Sequence, residues 1–324
     1  MAFFCPHKKA AAVFRLSFLM ILAVFGLIGG IYLSLANPNP THAPASAPSE
    51  QPASIVTTTD EPLKTSEMGK WTSFDDSIFQ LKLLIAQSQS ALSEQVLSVA
   101  LSFKGTPYVH GTLETPRHQE HLVVNMRELD CWTFVENSLA VALTSRAPLQ
   151  DYAEFQHFVQ QLRYWGGNID GYGSRIHYFS GWLMQAEKLG YLHDVTQELG
   201  GIPYEKKVGY MSARPGKYPA LNDSKALSDL KAVENRINGH QWYYIPKNRV
   251  AKMEHLIQEG DIIALTSWKH DLDIAHQGFA VKINGRIHLL HASSLNGRVI
   301  LSAQPLPQYM ATQKGQTGIM VARL

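Results

Sequence analysis

The sequence predicts an α+β fold in which a block of helices is followed by an antiparallel sheet. Three observations carry this. Between residues 76 and 238 apolar side chains recur at steps of three and four, the spacing of one helix face. From about residue 241 the pattern shortens to strands separated by glycine and polar turns. Asn284-Gly285, between two of those strands, is the dipeptide of a two-residue hairpin. Helices first and a meander afterwards segregate the two element types, which argues against an alternating, parallel-sheet architecture.

The 324 residues are 45% hydrophobic and 17% charged, which excludes a mostly disordered or collagen-like chain. With 29 Lys+Arg against 27 Asp+Glu the net charge is +2, so no strong field or basic run points to nucleic acid. The first 36 residues set the compartment. His7, Lys8, Lys9 and Arg15 form an acid-free basic flank, and Leu16–Ala36 is a run of 21 uncharged residues. Such a run is long enough to span a bilayer. It also matches the apolar region of a secretory signal, with Ser34-Leu35-Ala36 as a small-residue cleavage site. Residues 1–36 are therefore expected to be a signal peptide or a membrane anchor. Either places the remainder in the periplasm or another extracytoplasmic space, and any membrane contact is confined to this segment. No cysteine follows the run, so a lipoprotein anchor is not expected. Residues 37–75 are assigned to a linker, with six prolines between residues 37 and 66. Residues 76–324 are assigned to one folded domain.

Within that domain, residues 76–104 are expected to be helical, stopped by Lys104-Gly105-Thr106-Pro107. A second helix spans 131–144, with Val135, Leu139, Ala142 and Leu143 on one face and Asp130 as N-cap. Further helices are expected over 151–164, 176–190 and 225–238. Strands are expected at Ile262–Thr266, Gln277–Ile283, Arg286–His291, Arg298–Leu301 and Thr317–Leu324.

Two cysteines exclude a disulfide scaffold and a four-cysteine zinc site. Cys5 precedes the apolar run, so Cys131 is the lone thiol of the exported part. It opens a helix directly after Asp130, where unpaired backbone N–H groups and the helix dipole favour thiolate. A thiol acting on an amide also needs a base to protonate the leaving amine. His276 is the candidate, because it opens a strand and Gly278 beside it leaves room for substrate. A third polar group must fix the imidazole tautomer. The next strand carries His288 and His291, three apart, so they face opposite sides and only one can join the site.

Thr106-Pro107-Tyr108, Asp130-Cys131, Gly260-Asp261, His276-x-Gly and His291-Ala292-Ser293 occur in the order seen in NlpC/P60 cysteine peptidases, and the chain resembles that superfamily. The segments LDCWTFVEN, LRYWGGNIDGYGSRIHYFSGWL, DVTQELGG, GDIIALTSWKHDLDIAHQGFAV and HLLHASS resemble its DUF1460 branch, over roughly residues 90–324. The resemblance implies a papain-like fold with the Cys helix packed on the sheet. It implies N-acetylmuramoyl-L-alanine amidase activity on peptidoglycan or muropeptides, without metal or other cofactor. Carried over, Cys131 is the nucleophile and His276 the base, with His291 favoured over His288 as orienter. Tyr108 matches a site tyrosine that orients the thiol or helps hold an oxyanion.

Between residues 163 and 182, aromatic, Arg and His side chains stand among glycines. Aromatic faces stack on sugars and Arg pairs with carboxylates. Ser174, Arg175, His177 and Tyr178 are the substrate-binding candidates, while Tyr164, Phe179 and Trp182 are expected in the core. Trp132 is expected to pack, and Glu136 to be solvated or paired with Arg127. The competing readings are a D-Glu–diaminopimelate endopeptidase, a zinc amidase using His288 and His291, and a non-catalytic wall-binding module with Cys131 buried.

Overall fold

The computed structural model describes residues 71–114 and 120–324. Leu16–Ala36, Cys5 and nearly all of the expected linker lie outside them. Among the described residues no helix is long and apolar enough to cross a membrane. Within the stretch assigned to the linker, Trp71 already packs on the domain, its indole stacked on Tyr152 at 4.0 Å.

The expected first helix is two: α1 (Ser73–Gln87) and α2 (Leu92–Ser102). They are broken at Ser88–Ala91, where Ser and Gln side chains bond to nearby backbone. Next come α3 (Cys131–Arg146), α4 (Tyr152–Arg163), α5 (Phe179–Lys188) and α6 (Ser224–Asn238). All four fall within a few residues of expectation. Helix α3 is buried from Thr133 to Ser145 on every side rather than on one face. Helices α1, α2 and α4 and the sheet surround it. Its polar side chains turn inward onto backbone: Ser138 Oγ donates to Phe134 O at 2.7 Å and Thr144 Oγ1 to Ala140 O at 2.8 Å.

The sheet has eight strands: β1 (His193–Asp194), β2 (Ile202–Pro203), β3 (Tyr243–Pro246), β4 (Ile262–Ser267), β5 (Ile274–Ile283), β6 (Arg286–Ser293), β7 (Arg298–Pro305) and β8 (Gln316–Arg323). Its order is β2-β3-β8-β4-β5-β6-β7, with β1 also paired to β8, and every pairing is antiparallel. The architecture is thus α+β. The β5–β6 hairpin closes through Asn284 (φ 49°) and Gly285 (φ 79°), the left-handed pair that a two-residue turn requires. Ile283 therefore faces Arg286, and the register runs up to Phe279 opposite Leu290.

Each sheet face is covered. The helical layer packs on one, where Phe134 of α3 meets Phe279 of β5 edge-on at 5.5 Å. Such a pair contributes about 0.5–1.5 kcal/mol beyond its buried area. On the other face α7 (Lys247–Met253) and α8 (Leu306–Thr312) bury Val250, Leu306 and Met310 against Ile263, Leu265, Leu289 and Ile319.

Candidate active site

The segment Thr106-Pro107-Tyr108 lies between the sheet and the start of α3. Val299 N–H donates to Thr106 O at 2.8 Å, and Tyr108 N–H to Gly297 O at 2.9 Å. On its other side Leu129 N–H donates to Pro107 O at 3.0 Å, and Val109 N–H to Leu129 O at 3.1 Å. Tyr108 is thereby paired with a residue two before Cys131.

Asp130 caps α3 as the sequence predicts. Its Oδ1 accepts from Trp132 N–H at 3.0 Å and Thr133 N–H at 2.8 Å, and Thr133 Oγ1 accepts from Asp130 N–H at 3.0 Å. This reciprocal box fixes the first turn. Cys131, at the first helical position, keeps part of its surface exposed. Its sulfur faces the backbone N–H of Gln277, the residue after His276, together with the N–H groups of Cys131 and Trp132. These hydrogen bonds favour thiolate, but burial and the adjacent Asp130 carboxylate outweigh them and push the thiol up to about 12. The helix terminus and the burial thus act on the thiol in opposite directions.

His276 and Gly278 share one face of β5, because side chains alternate along a strand. His291 follows on β6 at the position facing Gly278, diagonal to His276, given Phe279 opposite Leu290. His276 Nε2 and His291 Nδ1 are 2.7 Å apart, with the rings nearly perpendicular. Gly278 is required here: a Cβ would stand 2.4 Å from Leu290 O and 2.9 Å from His291 Cβ. His288 points to the other face, where its Nδ1 lies 2.8 Å from Ser302 O. His288 and His291 thus do not converge on one site. Burial, then His291, lowers His276 to about 3, and burial lowers His291 to about 4. Both imidazoles are neutral at pH 7. Tyr108 is held up at about 12 by burial, then by Cys131 and Asp130, so its phenol keeps its proton as a potential donor.

Cys131 thus lies against the amide next to His276, His276 meets His291, and Tyr108 lies within electrostatic reach of Cys131; a cleft of about 490 Å³ opens beside the start of α3. Asp130 and Trp132 stand on the cleft wall.

A family model described as AmiA-like, N-acetylmuramoyl-L-alanine amidase-like, matches residues 98–319. The chain belongs to this family. An N-acetylmuramoyl-L-alanine amidase from Bacteroides uniformis ATCC 8492 is 35% identical with a TM-score of 0.67, covering 72% of this chain and 98% of that one. A Bacteroides fragilis structure, named as a candidate xylanase, is 39% identical with a TM-score of 0.65, covering 70% and 100%. A Legionella pneumophila protein of family-model DUF1460 shares the fold at 21% identity and a TM-score of 0.58, covering 76% and 93%. No curated protein matches.

Of the four substrate-binding candidates in this amidase-like chain, two line the cleft. Arg175 does, but its fork is occupied: Nη1 donates to Leu113 O at 3.0 Å, Nη2 to Glu114 at 2.9 Å, and Nε lies 3.5 Å from Glu120. It shapes the wall rather than offering a free guanidinium. His177 is packed on Tyr172 and lies 3.0 Å from that residue's carbonyl. Burial, then Arg175, lowers it to about 3, so it too is neutral.

Ser174 and Tyr178 are not on this cleft. Ser174 Oγ donates to Gly171 O at 2.7 Å and faces a separate hollow with Lys225 and Arg236. Tyr178 is 1% exposed, and its hydroxyl donates to Glu234 at 2.7 Å. Tyr164, Phe179 and Trp182 are core residues as expected. Trp132 both packs edge-on against Trp182 at 6.5 Å and lines the cleft. Glu136 is neither solvated nor paired with Arg127. It accepts from Arg163 Nε at 2.9 Å inside the helical layer, while Arg127 pairs with Asp75 at 3.1 Å. The Gly260-Asp261 match is structural: Asp261 holds Arg323 of β8 through two hydrogen bonds of 2.9 and 2.7 Å.

His110, Lys217 and Tyr218 complete the cleft without an expectation from sequence. The signal for His110 was its position two residues after Tyr108. Lys217 and Tyr218 lie in a long connection whose path only tertiary structure gives.

Proposed function

We propose that this protein is a cysteine-dependent N-acetylmuramoyl-L-alanine amidase that cuts the amide between the MurNAc lactyl group and L-Ala. The observation that carries the proposal is the thiol of Cys131 set against the start of β5, where His276 is held by His291. Membership of the amidase-like family supports the reaction class. The papain-like NlpC/P60 arrangement belongs to the same reading, with its Cys helix on an antiparallel sheet.

With thiol and imidazole both neutral at rest, attack is coupled to proton transfer. His276 takes the Cys131 proton as sulfur adds to the lactyl carbonyl. Backbone N–H groups at the helix start and the Tyr108 hydroxyl stabilise the oxyanion. His276 then protonates the departing L-Ala amine, and water hydrolyses the thioester, regenerating the thiol. His291 accepts from His276 Nε2–H and so leaves Nδ1 as the base, a role matching the 2.7 Å contact. The substrate is peptidoglycan or a muropeptide released from it. Residues 1–36 export the enzyme to the periplasm or another extracytoplasmic space, as a cleaved signal or a retained anchor.

The test is digestion of a defined MurNAc-peptide with product masses. The proposal expects the MurNAc sugar and an intact stem peptide beginning at L-Ala. Products cut between D-Glu and diaminopimelate would replace it with an endopeptidase, and no products would favour a wall-binding module.

A further inference from the structure

A second hollow of about 460 Å³ stands beside the cleft, lined by Tyr210, Arg214, Trp268, Lys269, His270 and Asp271. Its position follows from the chain. Residues 268–273 join β4 to β5 and end three residues before His276. Residues 209–218 are strapped to that connection. Gly209 N–H donates to Asp271 O at 3.0 Å, and Arg214 Nη1 to Asp271 Oδ2 at 2.5 Å. The same segment sends Met211, Lys217 and Tyr218 into the cleft. One wall thus has the cleft on one side and the second hollow on the other.

The lining has a definite chemistry. Trp268 is 67% exposed, a large aromatic face that the fold leaves open. Tyr210 has Arg214 over its ring at 4.1 Å and Lys269 at 4.6 Å, and Lys269 Nζ also bonds its hydroxyl at 3.2 Å. Asp271 is the one carboxylate in the lining, and Arg214 already occupies it. Among the described residues Lys269 has no carboxylate partner. The Lys269 hydrogen bond, with the charges of Lys269, Lys217 and Arg214, also holds the Tyr210 phenol below its ordinary range, as a positive local potential requires.

We propose that this hollow is an accessory subsite for the carboxylate-bearing stem peptide of the muropeptide. Lys269 and His270 face its side-chain and terminal carboxylates, and Trp268 covers its aliphatic backbone. This rests on the amidase reading and deepens it. The two halves of such a substrate differ in charge: the sugar half is neutral around the scissile amide, whereas the peptide half carries several carboxylates. A positively charged hollow one wall away from the cleft fits the second half.

The test separates binding from cleavage. Isothermal titration of the Cys131→Ala protein with the free stem tetrapeptide is compared with the same titration of Cys131→Ala carrying Trp268→Ala and Lys269→Met. The subsite account expects saturable binding that weakens about tenfold in the triple variant and weakens with added salt. In the active protein, Trp268→Ala/Lys269→Met raises KM for MurNAc-tetrapeptide by a similar factor at unchanged kcat. It leaves MurNAc-L-Ala, which lacks the distal carboxylates, unaffected. Equal tetrapeptide binding by both proteins overturns the subsite, as does an equal KM change for both substrates. If no amide is cleaved at all, the amidase reading fails, while the titration still decides whether the hollow binds the peptide.

Discussion

Cys131 is placed by a helix cap, and His276 and His291 by a strand register. The cap is local: Asp130 and Thr133 satisfy one another within four residues. The histidine pair is not local. It needs a two-residue turn at Asn284-Gly285, five residues of paired strand before position 278, and a missing Cβ there. The two regions also differ in charge. Asp130 places a negative charge beside the sulfur, whereas the histidine pair sits neutral, with His291 Nε2 lacking a hydrogen-bond partner among the described residues. A cap tolerates loss of one partner at modest cost, but a register admits no partial shift.

Gly278→Ala breaks the strand-borne half most severely. Its Cβ meets a backbone carbonyl at 2.4 Å, so β5 and β6 must separate. We expect destabilisation of about 1–3 kcal/mol by chemical denaturation. Amide hydrolysis is expected to fall further than stability alone accounts for. His291→Ala and His288→Ala then distinguish the two histidines of β6. The first lowers kcat about 100-fold by freeing the His276 tautomer. The second loses a contact with Ser302 and costs stability, with kcat within a few-fold of wild type. Equal kcat losses would assign both residues the same role.

Acid sharpens the comparison through stability. His276, His291 and His177 are all lowered, to about 3, 4 and 3, chiefly by burial. An unfolded chain protonates them near pH 6.5, whereas the fold resists protonation until the lowered values are reached. Their contribution is therefore complete above about pH 6.5 and is lost as pH falls toward 4, each group adding at most about 1.4 kcal/mol per pH unit. Thermal melts across pH 7.5 to 4.5 measure this, and replacing His276 and His291 with Asn flattens the slope.

The smallest effect probes the cap. Asp130→Asn keeps a side-chain acceptor for Trp132 and Thr133 but removes the charge. We expect a melting temperature nearly that of wild type, together with faster alkylation of Cys131 at pH 8. Asp130→Ala loses the cap as well, at a cost of about 1 kcal/mol.

How much was legible in the sequence follows the same division. The cap at Asp130, the helix behind Cys131, the hairpin at Asn284-Gly285 and the opposed faces of His288 and His291 all rest on rules that act within a few residues. Strands β1 and β2 have two residues each, and β3 has four, too short for a period. Helices α7 and α8 have seven residues and are held by the sheet they cover. The substrate wall was legible only in part, since Ser174 and Tyr178 sit beside Arg175 and His177 in sequence but turn away from the cleft. The environment of the sulfur was legible only in part. The helix terminus that favours thiolate is visible in sequence, but the burial that opposes it is a property of the assembled fold.

The most direct measurement is hydrolysis of a defined MurNAc-peptide by Cys131→Ala protein whose melting temperature matches wild type. A thiol nucleophile requires the rate to fall at least about a thousandfold, because the proposed acyl intermediate is a thioester on this sulfur. Cleavage by Cys131→Ala within tenfold of wild type would contradict the assignment of this sulfur to the chemistry.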